Sequence, residues 1–569
     1  MRTSIKILCF AFLIVSCEDF LERPPIELID EAEFFQTPAD LQTAVNKFYN
    51  DLPLRRWAGV GNGFSGLPDN NSDMVLGESV SNRLLGVYET PTAANDQEWA
   101  RWDEIREVNY YLERVGRAEG NEADINHFIG EGYFFRAYYY FDLLKRYGDL
   151  PIIDQEISNL DEDFLFAPRD PRNEVVDFML SDLDTAIGLM KSFTEAPISR
   201  LSVEAVQFFK ARVALYEGTW ERYHNGTVFG VEGSDGSTYL QIAADAARAV
   251  MDSDLFSLHG DYGSLFNQSG ITGNSEILLA REYDFNLGNS TGNDLQIGWP
   301  NRSGYTRFAI RSYLCTDGDP ISVSPLYVGD QDLATIESNR DPRLAATIMV
   351  PGDIQRVDPD GTTTAYEAPI ITGNNAAITG YESQKYRDVN IDGDTGLFTR
   401  NTSRIIMRYA EALLIYAEAK AELGTLSQAD LDISVNLLRS RVGMPGITLG
   451  AITVDPDWPN YGYTLSDILY EIRRERSVEL MAEGLRLDDL MRWRAHELFN
   501  GRTPKGAFYF DGIVDSTSEL SEVFLDADDY LDPFQNDGPY NFDPDRAYLI
   551  GIPINEIDLN PNLEQNPGW

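Results

Sequence analysis

The sequence predicts a mainly α-helical protein in which helix pairs form a scaffold and a long irregular, loop-rich region carrying short strands is laid on it. Three observations carry this. Apolar residues recur at helical spacing in nine separate stretches of the 569-residue chain. Two pairs of those stretches set small alanines beside tyrosine and leucine. Between about 253 and 402, and again over 500–547, the periodicity lapses and Gly, Asn, Asp and Pro become frequent.

Residues 1–16 read as a signal peptide. Arg2 and Lys6 precede an apolar run from Ile7 to Val15 that is too short to span a bilayer. Cys17 follows Ser16 in the bacterial lipoprotein pattern, so cleavage before Cys17 and acylation of its sulfur are expected. Acyl chains bury methylenes at about 0.8 kcal/mol each, and stable anchoring takes more than one chain, which a diacylated, N-acylated cysteine supplies. Residues 17–30 form a lipidated tether in which Pro24 and Pro25 block helix.

Helices are expected at 31–50, 97–118, 122–147, 172–191, 203–222, 239–252, 403–423, 427–442 and 464–495. Within 131–147 (EGYFFRAYYYFDLLKRY), Phe134, Ala137, Tyr138, Phe141 and Leu144 share one face, and Gly148 and Pro151 end the helix. The stretch from Val203 pairs with the one from Tyr239, and the stretch from Arg408 pairs with the one from Ser427. Small residues let such helices approach closely, the logic of tetratricopeptide-type stacking. Strand-like runs are EILLA (276–280) and AATIMV (345–350). Residues 31–252 thus form an N-terminal helical region, and 253–569 a C-terminal region packed on the same scaffold.

A net charge of −46, which becomes −48 once residues 1–16 take Arg2 and Lys6 with them, repels nucleic acid and anionic surfaces. With Cys9 in the signal and Cys17 acylated, Cys315 is the remaining thiol, so no internal disulfide forms and packing must supply the stability. No segment after the signal approaches a membrane helix in length and apolarity.

Catalytic signals are weak. His127, His224, His259 and His496 are scattered, three of them expected on or near helix surfaces. Cys315 has no nearby histidine. Gly288–Gly292 fits GxSxG and Gly61–Gly66 fits GxGxxG, but neither has the strand and helix that would make it a nucleophile elbow or a phosphate loop. The chain is therefore read as a binding protein, not an enzyme. A calcium loop is the better motif: Asp388, Asn390, Asp392, Gly393 and Asp394 alternate oxygen ligands around a turn glycine. Its twelfth position is Thr399, so Asp358 or Asp360 would have to complete the shell.

Sugar capture needs an aromatic face against C–H groups, with Asn, Asp and Arg nearby for hydroxyls. Trp99, Trp102, Trp220, Trp493 and Trp569 read as packing residues, which leaves Trp57, Trp299 and Trp458 in loop-like surroundings. Trp299, Asn301, Arg302 and Tyr305 fall within seven residues and form the leading candidate; Trp57 and Tyr88 are the others.

Several segments, in order, resemble the SusD/RagB family of outer-membrane lipoproteins: CEDFLERPP (17–25), EGYFFRAYYYFDLLKRYGDLPII (131–153), NRDPRLAATIMVPG (339–352), TGYESQKYRD (379–388), IIMRYAEALLIYAEAKAELG (405–424), IRRERSVELMAEGLRLDDLMRW (472–493) and YLIGIPINEIDLNPNLEQNPGW (548–569). The resemblance implies tetratricopeptide-like helix pairs with an irregular second region. It also implies a lipid-anchored lid on the outer-membrane surface, over a SusC-like TonB-dependent transporter to which it delivers oligosaccharides. Glu18 and Asp19 look like the export tag that directs such proteins to the outer face. Arg136, Arg408 and the Arg473–Glu483 segment are expected to fix helix packing. The alternative cargo is peptide, which some relatives of this kind bind.

Overall fold

The computed structural model describes residues 34–52, 67–94, 99–158, 160–268, 270–287, 300, 302–389, 402–509, 513 and 518–569. Its principal helices are α1 (Pro38–Val45), α2 (Arg101–Arg114), α3 (Glu122–Tyr147), α4 (Arg172–Leu189), α5 (Val203–His224), α6 (Ser237–Asp252), α7 (Arg307–Arg311), α8 (Tyr409–Glu422), α9 (Gln428–Asp432), α10 (Val435–Arg441), α11 (Asp467–Glu479) and α12 (Arg486–Arg492). The strands are β1 (Val75–Leu76), β2 (Ile277–Arg281), β3 (Gly304–Tyr305), β4 (Ile354–Val357), β5 (Thr363–Ala365) and β6 (Arg404–Arg408), pairing antiparallel as β1–β3, β2–β6 and β4–β5.

Helix α3 is the centre of the scaffold. Asn121 caps its start by accepting the Asp124 amide, and Gly148 follows its end with φ 73°. The sequence placed one apolar face on it, yet Phe135, Tyr139 and Tyr140 are buried as fully as Phe134 and Phe141. A helix that is apolar all round must be enclosed, and α2, α4 and α1 pack on it. Helices α5 and α6 meet more closely than any side chain would allow. A Cβ on Gly236, which sits at φ 74°, would lie 1.9 Å from the Gly218 carbonyl oxygen. α8 packs on α6 and α11, so the helices of both halves share one apolar core running from Phe35 to Leu563.

Three expectations are corrected. Residues 404–408 are the strand β6 rather than the start of a helix, pairing with β2 through Ile277↔Arg408 and Ala280↔Ile405. The 464–495 helix is broken between α11 and α12 by Ala482 (φ 58°) and Gly484 (φ 83°). AATIMV is a series of turns with one bridge, Ile348↔Ser383, while the EILLA run is strand as expected.

A second core, built on Val75, Tyr305, Ile310, Tyr313 and Tyr381, supports the irregular region. Helix α11 joins the two: Ile472 belongs to the first core and Val478 to the second. Around it lie buried ion pairs. Arg408 donates to Glu276 (2.9 Å), Glu479 (2.7 Å) and Glu483 (2.8 Å); Arg343 donates to Asp341 (2.7 Å), Glu475 (2.5 Å) and Glu479 (2.9 Å). Arg136 forms a bidentate pair with Asp182, both contacts at 2.7 Å. Arg136 and Arg408 thus sit in buried ion pairs within the packed interior, the place expected of them, and Arg343 joins them.

Candidate functional site

The strand pair β1–β3 positions the site. Register Val75↔Tyr305 and Leu76↔Gly304 brings two distant segments of chain together. Thr306 locks the junction: its amide donates to the Met74 carbonyl at 2.9 Å and its hydroxyl to the Asp73 carbonyl at 2.7 Å. At the same corner the Leu67 amide donates to Ser303 Oγ at 3.3 Å, and Ser303 turns back through its amide to the Pro300 carbonyl at 2.9 Å. Leu67 directly follows residues 53–66, which contain Trp57; Pro300 directly follows Trp299. The described ends of the two tryptophan-bearing segments are therefore bonded to each other.

Arg302 stands at this corner in the left-handed backbone region (φ 60°), and its Nη1 donates to the Gly373 carbonyl at 3.4 Å. It lines a cleft of about 310 Å³ together with Ile371, Ile378, Glu522 and Phe524. Phe524 is partly exposed. A guanidinium, an exposed carboxylate and an apolar aromatic wall in one cleft can meet hydroxyls and C–H faces of the same ligand. Phe524 was missed in the sequence because a lone aromatic in a loop carries no periodicity to mark it. A separate, deeper cleft lies between α3, α5 and β6, but its charges are spent internally. Arg212 pairs with Glu411 (2.7 Å), Lys145 with Asp488 (2.8 Å) and Arg492 with Glu418 (2.5 Å).

Two candidate ligand residues are corrected. Tyr305 is wholly buried in the second core, its hydroxyl 3.0 Å from Ser383 Oγ, so no sugar can stack on it. Tyr88 is committed to the C-terminus. Its ring lies edge-on to Trp569 at 5.8 Å and under the Arg546 guanidinium, and its hydroxyl accepts the Asp543 amide at 2.7 Å. Trp57, Trp299 and Asn301 lie outside the described residues, as do Cys17, the GxSxG and GxGxxG segments, and Asn390, Asp392 and Asp394 of the calcium loop. Asp388 is described. The Val357 amide donates to the Val389 carbonyl at 2.7 Å, which sets Asp358 near the loop's start, although Asp358 pairs with Arg356 at 2.8 Å. Among the described residues no three His, Cys, Asp or Glu side chains cluster as a metal site.

The other candidates resolve into packing. Contrary to expectation, His127, His224 and His496 are buried. His224 stacks on Trp220 with centroids 4.0 Å apart, and burial pushes its pKa down to about 3. His127 Nδ1 accepts the Lys191 amide at 3.2 Å, and His496 Nδ1 lies 2.8 Å from the Tyr548 hydroxyl. Cys315 is buried, which pushes its thiol pKa up. Trp99, Trp220 and Trp493 are core residues, as read from the sequence.

Comparison with known proteins gives a consistent answer. Residues 272–569 match the family model described as the SusD family, and residues 19–215 match one described as "Starch-binding associating with outer membrane". The chain is 25% identical over 590 residues to SusD-like protein P2 of Formosa agariphila, covering all of both chains. A SusD-like carbohydrate-binding protein from Bacteroides fragilis superposes with TM-score 0.73 at 22% identity, covering 93% of this chain and 100% of that one. A laminarin-binding SusD-like protein superposes with TM-score 0.54 at 19% identity, covering 94% of this chain and 100% of that one.

Proposed function

The chain belongs to the SusD family, and from that premise we propose that it is a lipid-anchored receptor on the outer-membrane surface. It captures oligosaccharides and delivers them to a SusC-like TonB-dependent transporter. It binds its ligand and does not transform it. The family description of outer-membrane association, together with the signal and Cys17, supports the location. Among the described residues no helix is long and apolar enough to cross a membrane; in this reading the acylated Cys17 supplies the attachment.

The observation that carries the ligand reading is the Leu67–Ser303 bond, which joins the described ends of the segments bearing Trp57 and Trp299 beside the Arg302 cleft. Trp299, Trp57, Asn301 and Arg302 are the residues assigned to the ligand, and Arg302 lines the cleft. A net charge of −46 favours a neutral glycan over an anionic one. Calcium, held by Asp388, Asn390, Asp392 and Asp394, stabilises the segment that carries them. Calorimetry with calcium should then show heat for wild type and none for Asp392→Ala.

Affinity electrophoresis of residues 18–569 through gels carrying soluble starch, laminarin, xylan, mannan or pectin tests the receptor reading. Retardation by at least one polysaccharide, lost in Trp299→Ala, is the expected result. Free migration of wild type through every gel would overturn it.

A further inference from the structure

Trp458 behaves unlike the structural tryptophans. Trp220, Trp493 and Trp569 are each fastened through the indole N–H, to the Phe229 carbonyl (3.1 Å), the Glu418 carboxylate (2.7 Å) and the Leu549 carbonyl (3.2 Å). Trp102 lacks such a bond but is wedged between the rings of Trp99 and Tyr140. The indole N–H of Trp458 is buried and makes no hydrogen bond among the described residues, while the side chain as a whole is only half-buried. It is held instead by a parallel stack on Tyr470 of α11, with centroids 4.5 Å apart and planes 7° from each other. Such a stack leaves one indole face covered and fixes the other as a flat, non-tipping surface.

Trp458 and Tyr470 line a cleft with Phe308 and Arg311 of α7, Asp457 and Pro459. At its mouth Arg311 and Asp457 pair at 3.2 Å, and the Asp457 side chain remains 59% exposed. An ion pair with so exposed a carboxylate contributes little stability, so Asp457 is open to a ligand at small cost, while Arg311, 32% exposed, is also steadied by Asp330 at 3.8 Å. Asp455, by contrast, is spent on Arg474 and Ser322, both at 2.5 Å, and holds the loop in place. A rigid indole face beside an accessible Arg–Asp pair is the arrangement that takes the C–H face of a pyranose and two neighbouring hydroxyls.

We propose that the Trp458 cleft is a second sugar-binding subsite, distinct from the Arg302 cleft and engaged by the same oligosaccharide chain. The two clefts share no lining residue, yet they flank one strand pair: Met74, next to β1, lines the first, and Arg302, just before β3, lines the second. Arg302 and Phe308 are six residues apart, so their backbones are separated by at most about 20 Å. One oligosaccharide can cross that span, and occupying both subsites raises the affinity for long chains over short ones.

The proposal rests on the receptor reading, and the same gels separate the two. Trp458→Ala, Asp457→Ala and Arg302→Ala are run beside wild type in each polysaccharide, with thermal melts to confirm folding. Asp457→Ala changes an exposed position and serves if Trp458→Ala does not fold. Both variants at the Trp458 cleft should weaken retardation by about three- to tenfold in the polysaccharide that retards wild type. Calorimetry with oligosaccharides cut from that polysaccharide should show the deficit for long chains and none for trisaccharides. Wild-type retardation by both variants in a gel that releases Arg302→Ala would overturn this subsite and leave the receptor reading standing. Loss in the Trp458-cleft variants with Arg302→Ala unaffected would overturn the two-subsite proposal and leave the Trp458 cleft as the site itself. No retardation of wild type in any gel would sink both.

Discussion

Around α11, Arg343, Arg408, Arg439 and Arg441 each meet at least two carboxylates in the interior, whereas Arg302 in the irregular region meets, among the described residues, a single carbonyl at 3.4 Å. The same side chain does opposite work in the two regions. A buried guanidinium with its fork filled is geometry made permanent, because removing either partner strands a charge away from water. An arginine at the lip of a cleft keeps its donors available, and its loss costs the fold almost nothing. Burial and partner count, rather than residue type, separate the scaffold from the binding surface.

The largest effect should come from breaking the filled fork. Arg408→Ala removes the one cation that meets Glu276, Glu479 and Glu483 together, leaving them to Arg441, Arg343 and Lys385, and should cost about 3–5 kcal/mol in urea unfolding. A loss under about 1 kcal/mol would mean that these pairs are ornament and would end the contrast. Arg302→Ala should do the reverse. Its stability should stay within about 0.5 kcal/mol of wild type, while its affinity in the glycan gels falls about tenfold, the worth of a hydrogen bond to a charged donor.

Tyr305→Phe sharpens the contrast from inside the binding region. The residue sits two positions from Ser303 yet belongs to the core. Losing the contact with Ser383 Oγ should cost about 1 kcal/mol of stability and leave glycan retardation unchanged. A change in retardation at unchanged stability would return Tyr305 to the site.

These assignments show what the sequence could and could not reveal. Helix α3 was legible to its bounds because a 3.6-residue period, an Asn cap and a terminal glycine all act locally. Strand β6 was not, since its only reason to be extended is β2, far upstream and invisible to a local pattern. Tyr305 was misread for the same reason: β3 is two residues long, and what buries it is Val75 on a remote segment. The Gly484 signal that breaks the helix after α11 was present in the sequence, but the surrounding apolar rhythm outweighed it. Trp299 and Arg302 could be nominated as a cluster by spacing alone; the Leu67–Ser303 bond that ties their segment to the one bearing Trp57 could not.

The smallest effect compares a buried carboxyl of the scaffold with a half-buried one of the irregular region. Glu221 lies on α5 in the scaffold and Glu337 in the irregular region, and in both, burial first and a neighbouring acid second push the carboxyl pKa up to about 7; the neighbours are Glu217 and Asp353. The folded state therefore holds a proton that the unfolded chain releases near pH 4.5, so each group favours folding below that pH and loses the contribution as pH rises toward 7. Both Glu221→Gln and Glu337→Gln should flatten the fall in melting temperature between pH 5 and 7.5. They differ in what replaces the proton. Among the described residues each has one buried oxygen with no partner, but the other oxygen of Glu221 accepts a hydrogen bond from Ser234. A glutamine brings two donors to the place of the unpartnered oxygen in both, but at 221 its carbonyl keeps the Ser234 bond as an offset that 337 lacks. Glu221→Gln should thus melt above wild type at pH 7.5, and Glu337→Gln should gain less or nothing. Equal gains would show that desolvation alone sets both groups and that the scaffold and the irregular region treat a buried acid alike.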